Sequence, residues 1–255
     1  MATGVDDAPS GPTPRRARRQ EKVAEQVARE ILREIKHEGL RAGATLPSES
    51  VMLERFDIGR GSLREALRIL EVNGLVTIKT GPGGGPIVAE SNPVSFGQMW
   101  TLHLQSIGAT YRELLEARVE YESLLARRAA ERVTSEASQS IRATLEEVST
   151  HLSDDVQYAT AASGFHTAVC AAGDNSVMAL AANAIQSLWS RRVTTVLFAE
   201  ADRPMIVQQH RDITKAIERG NGRQAEKLMR EHMQKYQDYC EKRYPARLDD
   251  IVDWS

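Results

Sequence analysis

Hydrophobic residues recur every four positions near the start of the chain, at Val23, Val27, Ile31 and Ile35, and the pattern stops at Gly39. That spacing predicts a first helix with one buried face. A short second helix is expected after Pro47, with Ser48 as N-cap, Glu49 in the first turn, and Met52, Leu53 and Phe56 facing inward. Asp57 to Gly59 then supply a turn into "RGSLREALRILEV", where two stripes run side by side. Leu63, Ala66 and Leu70 form the apolar one, with Leu67 at its border, and Arg60, Arg64 and Arg68 form the basic one. Beyond Gly74 the period shortens: Leu75 to Thr80 reads as a strand, Gly81 to Gly85 as a tight turn, and "PIVA" from Pro86 as the returning strand. Three helices followed by a β-hairpin make a winged helix-turn-helix, in which the apolar stripe seats the third helix and the arginine stripe is free to enter a DNA major groove.

From "NPVSFGQMWTLHLQSIG" to Tyr244 the pattern is helical throughout. Leu115, Val119 and Leu125 keep a helical spacing interrupted by Glu122, and Leu180, Ala184, Leu188, Ile206, Ile213, Ile217, Leu228 and Met229 extend it. The fold class expected is therefore mainly α: a winged helix-turn-helix followed by an all-α antiparallel bundle. We expect a disordered basic arm over 1–20, the DNA-binding domain over 21–90, a linker with a connecting helix (Phe96 to Ile107) over 91–110, the bundle over 111–245, and a tail over 246–255.

A chain of 255 residues with 41% hydrophobic content can bury such cores. No apolar run approaches the roughly 18–20 residues that span a bilayer, and the first twenty residues lack the apolar stretch of a signal peptide. A cytoplasmic protein with no membrane partner is expected. Cys170 and Cys240 belong to no CxxC pair, which removes a disulfide framework and a cysteine zinc ribbon. The net charge of −2 conceals an asymmetry, because Arg15 to Glu90 carries 14 Lys and Arg against 11 Asp and Glu. A basic N-terminal part and an acidic remainder suggest two tasks in two domains.

An arginine fork donates two parallel hydrogen bonds to guanine, so Arg60 or Arg64 is suited to base reading, worth about 1–3 kcal/mol of discrimination. Arg68, deeper along the helix, is left between a phosphate and an internal glutamate. Gly81, Gly83, Gly84 and Gly85 would let a wing backbone approach a groove closely. "RRARR", Arg15 to Arg19, is either a minor-groove arm or a solubilising tail.

The blocks "LPSE" (Leu46 to Glu49), "GRGSLREALRILEVNGLV" (Gly59 to Val76) and "TGPGGGPIV" (Thr80 to Val88), in this order, resemble the N-terminal domain of the GntR family of bacterial transcription regulators. The resemblance covers Val23 to Ala89. For relatives of the fatty-acid-regulator (FadR) type it implies operator contacts at Ser50, Arg60, Arg64, Thr80 and Gly81, to which Gly61 and Ser62 of the third helix are added. Ser50 departs from the arginine usual at its position, which puts one phosphate or base contact there in question and with it the operator preference. The segments "YRELLEARVEYESLLARRAAER", "FHTAVCAAGDNSVM" and "HRDITKAIERGNGRQAEKLMREH" resemble blocks of the FCD ligand-binding domain of that subfamily.

His166, His210 and His232 lie on the apolar sides of three separate expected helices, beside Val169, Ile213 and Met229. Imidazoles converging inside a bundle suit zinc, nickel and similar divalent ions. In metal-binding FCD domains an aspartate four residues before the first histidine completes the set, and here that position is Ala162. Three histidines still hold an ion with an open position for water or an effector carboxylate. The competing reading is a metal-free pocket whose histidines hydrogen-bond an anionic effector. Arg118 either pairs with Glu122 or neutralises an effector carboxylate. The expectation is a homodimeric, non-enzymatic regulator that binds double-stranded operator DNA and answers to a small-molecule carboxylate. A metal-dependent hydrolase bearing a DNA-binding module lacks an HExxH or similar spacing, and a constitutive dimeric DNA-binding protein would not need a histidine-rich interior.

Overall fold

The computed structural model describes residues 14–81, 84–90, 93–192 and 198–253. The chain divides into two units, Met1–Asn92 and Pro93–Ser255.

In the first unit α1 (Pro14–His37) buries Ala24, Val27, Ala28, Ile31 and Ile35. It begins nine residues before Val23, so 14–20 is helical and not part of a disordered arm. Arg, Ala, Gln, Glu and Lys are strong helix formers, and Pro14 occupies the one turn where proline costs nothing. Residues 1–13 of the expected arm lie outside the described residues. The helix ends in a Schellman motif: Gly39 takes a positive φ of 63°, Leu40 N–H donates to Ile35 O (3.0 Å) and Gly39 N–H to Lys36 O (3.3 Å). The Ser48 side chain caps α2 (Glu49–Phe56), and left-handed Asp57 closes it.

Next, α3 (Arg60–Val72) places Leu63, Ala66, Leu67 and Leu70 in the core with Ile31, Met52 and Val76. Leu67, expected at the border, is fully buried. Gly74 repeats the Schellman closure, with Leu75 N–H donating to Leu70 O at 2.9 Å. The hairpin pairs β1 (Val76–Lys79) with β2 (Gly85–Val88), Val76 opposite Val88 and Lys79 opposite Gly85. The loop before α2 joins its edge, since Leu46 N–H donates to Pro86 O (2.9 Å) and Val88 N–H to Ala44 O (2.8 Å).

The second unit runs α4 (Pro93–Ser106), α5 (Tyr111–Glu131), α6 (Ser135–Thr150), α7 (Asp155–Ala172), α8 (Ser176–Arg192), a 3₁₀ turn at Glu200–Asp202, α9 (Arg203–Glu218), α10 (Gly222–Arg243) and α11 (Pro245–Leu248). Side chains set the helix starts: Thr110 and Glu113 form a capping box on α5, and Thr134, Asp154 and Asn221 cap α6, α7 and α10. Leu115, Phe165, Ile213, Ile217, Met229 and Met233 form the centre of the core. Leu180, which the periodicity placed inside, is 36% exposed.

Both flanks expected to lie outside this bundle belong to it. Trp100 and Leu104 of α4 pack on the core, and Gly97 lets the helix approach α8 so closely that an added Cβ would lie 3.1 Å from Ser187 Oγ. The segment 246–255, expected as a tail, buries Leu248 (2% exposed) and Val252 (1%). Tyr111 N–H donates to Asp250 O (3.1 Å), Val252 N–H to Ala109 O (2.8 Å), and Arg112 pairs with Asp249 and Glu241. Two apolar residues were too few for periodicity to reveal this packing.

Candidate DNA-reading face and histidine-centred cavity

On α3 the two stripes separate as the pattern requires. Arg60, Arg64 and Arg68 are exposed, opposite buried Leu63, Ala66, Leu67 and Leu70. None of the three pairs with a carboxylate among the described residues, so the internal glutamate considered for Arg68 is not used. Gly61 is exposed, but Ser62 is only 8% exposed and turns inward. It precedes Ala66 by one turn and shares its face, so it is less open to DNA than its neighbours Arg60 and Gly61. Ser50 is exposed on the first turn of α2, its Oγ 2.9 Å from Ser48 Oγ. Thr80 and Gly81 are exposed at the wing base, where Gly81 takes a φ of 101°. Gly84 is required there, because a Cβ would lie 2.3 Å from Lys79 O. Gly83, the remaining wing glycine, lies outside the described residues.

In the second unit α7, α9 and α10 bring His166, His210 and His232 together, all buried. His232 Nε2 stands 3.3 Å from both His210 Nε2 and His166 Nε2, and the ligand atoms of the three all lie within 4.8 Å of one another. For Zn–N bonds of about 2.0–2.1 Å, the edge of a tetrahedron is about 3.3–3.4 Å. Two of the three separations thus match neighbouring corners of one coordination sphere.

At His210 and His232 the surroundings favour the neutral imidazole, the form that binds metal. Burial, reinforced by His166, pushes His232 down to about 3, and burial with the two neighbouring histidines holds His210 well below the usual range. Phe165 stacks on the His210 ring at 4.0 Å, and His232 Nδ1 meets Gln209 Oε1 at 2.9 Å. His166 Nδ1 lies 2.6 Å from Glu122 Oε2. The Glu122 carboxylate is 1% exposed and also accepts from Arg118 Nε at 2.8 Å. Burial alone would raise its pKa, but Arg118 and His166 outweigh that and hold it at about 2. An ionised Glu122 can only accept, so it favours the His166 tautomer that carries its proton on Nδ1 and turns the Nε2 lone pair to the centre. The donor set therefore fits a divalent ion of the zinc or nickel kind.

Glu122 and Gln209 were missed as members of this site. The one signal in the sequence was a charge at an apolar position four residues after Arg118. Arg118 forms the structural pair, yet it also lines a cavity of about 380 Å³ that adjoins the three histidines. Ala162 lines it too, one turn before His166.

Comparison with known proteins agrees with this division of labour. Residues 23–84 match "Bacterial regulatory proteins, gntR family" and residues 113–235 match the "FCD domain". The chain is 30% identical to the HTH-type transcriptional regulator LutR of Bacillus subtilis, over 80% of this chain and 94% of that protein. It is 30% identical to the HTH-type transcriptional repressor NanR of Enterobacter sp., over 86% of this chain and 85% of that protein. Among solved structures, Streptococcus agalactiae GntR superposes with a TM-score of 0.68 at 22% identity, covering 84% of this chain and 99% of that one. These relatives are named as regulators, not enzymes. With an exposed arginine helix in one unit and an FCD bundle in the other, the chain belongs to the GntR family as a DNA-binding transcription regulator with an FCD effector-binding domain.

Proposed function

We propose that this regulator is of the FadR type, works as a cytoplasmic homodimer on a pseudo-palindromic operator, and changes its DNA affinity when a carboxylate effector enters the cavity beside the three histidines. The observation that carries the reading is the convergence of three buried imidazole Nε2 atoms on a cavity that also exposes an arginine. Arg60 and Arg64 read the operator, while Ser50, Gly61, Thr80 and Gly81 lie against its backbone. His166, His210 and His232 would hold a divalent ion, zinc or nickel, which supplies a Lewis-acidic anchor for the effector. With Ala162 in place of a carboxylate, the chain itself supplies three ligands and leaves a position open. The effector acts by population shift: it changes operator affinity only as far as it prefers one arrangement of the dimer over another.

The test is metal content and operator binding of the wild type and His232→Ala. The wild type is expected to carry a divalent metal after growth with zinc or nickel and to change its operator affinity when cell extract metabolites are added. The variant is expected to lose metal and response while still binding DNA. Full response in a metal-free wild type would favour the second reading, in which the histidines bind the anion directly.

A further inference from the structure

Most of the cavity's exposed wall is carbon. Trp189, Ile206 and Met233 are buried and present carbon to it, with Phe198 half-buried beside them. Several polar side chains on the same wall are engaged with one another or with backbone. Trp189 Nε1 donates to Tyr236 OH at 3.0 Å. Gln186 Nε2 donates to Ser163 O (2.8 Å) and Ser163 Oγ (2.6 Å), and its Oε1 accepts from Thr167. Thr160 Oγ1 donates to the Val156 carbonyl. Arg118 differs: Glu122 takes its Nε, and its two terminal nitrogens have no hydrogen-bond partner among the described residues. It is almost wholly buried and lines the cavity.

We infer that the ligand of this cavity is a carboxylate on a compact, ring-bearing apolar body, and not a polyhydroxylated acid. The inference rests on the effector reading above and narrows it to a chemical class. A fork of donors without a partner in a low-dielectric cavity calls for an anion. A chain of hydroxyl groups would leave water for a wall that is mostly carbon and whose amide and indole groups at Gln186 and Trp189 are already bonded, so most of its hydroxyls would be desolvated without replacement. A planar ring instead finds aromatic side chains at Trp189 and Phe198, where offset or edge-to-face contacts add to simple burial. Size agrees, since about 380 Å³ holds roughly a dozen waters at ~30 Å³ each, room for one ring and a short acidic arm.

Isothermal titration calorimetry on the full-length, zinc-supplied protein tests this with three probes: phenylacetate, its neutral amide, and D-gluconate. Phenylacetate is expected to bind at least tenfold more tightly than either of the others, with a negative heat-capacity change. Phe198→Ala should weaken phenylacetate by about fivefold and leave gluconate unchanged; the wild-type comparison stands even if that variant folds poorly. Gluconate binding as tightly as phenylacetate would overturn the inference and leave the effector reading standing. An amide that binds as well as the acid would overturn the anionic anchor. No binding by any probe, together with failure of extracted metabolites to change operator affinity, would overturn both.

Discussion

Glu122→Gln is the perturbation that most directly tests how the histidine centre is organised. The wild-type carboxylate accepts from Arg118 Nε at 2.8 Å and faces His166 Nδ1 at 2.6 Å, with all three groups buried. Glutamine keeps the shape but has one acceptor oxygen where the carboxylate had two. If that oxygen stays on Arg118, an amide N–H faces His166 Nδ1, which must then accept and move its proton to Nε2, blocking the lone pair that faces the centre. If the amide turns round, Arg118 loses its partner instead. Replacing an outer partner of a metal-bound histidine costs about 10–100-fold in metal affinity, or about 1.4–2.8 kcal/mol. Near-complete burial of Glu122 places this case towards the upper end. The metal-free protein should also lose stability, by less than the about 3–5 kcal/mol of a fully broken buried pair because an acceptor remains. Competition against a chromogenic zinc chelator reads the first effect and thermal unfolding of the chelated protein the second. Glu131→Gln, in the exposed Arg127–Glu131 pair, is the control and should leave metal affinity and melting temperature at wild-type levels. A folded Glu122→Gln protein with wild-type metal affinity would refute the assigned role.

Arg64→Ala should weaken binding to an operator selected from a random DNA pool by about 1–3 kcal/mol without lowering the melting temperature, because Arg64 is exposed and outside the core; gel shift alongside circular dichroism decides, and unchanged affinity removes Arg64 from the reading role. The chelated protein should lose stability as pH falls from about 6.5 towards 3. His232 stays neutral in the folded state down to about 3 while the unfolded chain takes up that proton near 6.5, so the contribution is complete above 6.5 and is lost on acidification; His232→Gln should flatten the melting curve against pH in that window. Leu248→Ala should cost about 2–5 kcal/mol, because Leu248 is buried in the bundle core. A melting temperature within a degree of wild type would return 246–255 to the status of a tail.

The period of the hydrophobic positions alone determined the three-helix-plus-hairpin order of the first unit, the all-helical second unit, and the opposition of Arg60, Arg64 and Arg68 to the leucine stripe. Each depends on neighbours within a turn or a hairpin, and local spacing expresses that directly. The three histidines were legible as candidates for the same reason, since each occupies an apolar face of its own helix. Tertiary packing decided what local spacing cannot express. α4 and residues 246–253 join the bundle through contacts far apart in sequence. Glu122 read only as a charge on an apolar face. It becomes a partner of His166, 44 positions along the chain, because α5 packs against α7 and places the carboxylate where Arg118 and His166 keep it ionised against the effect of burial. Long-range contacts of that kind arise from how helices pack, and no periodicity along a single helix encodes which faces will meet.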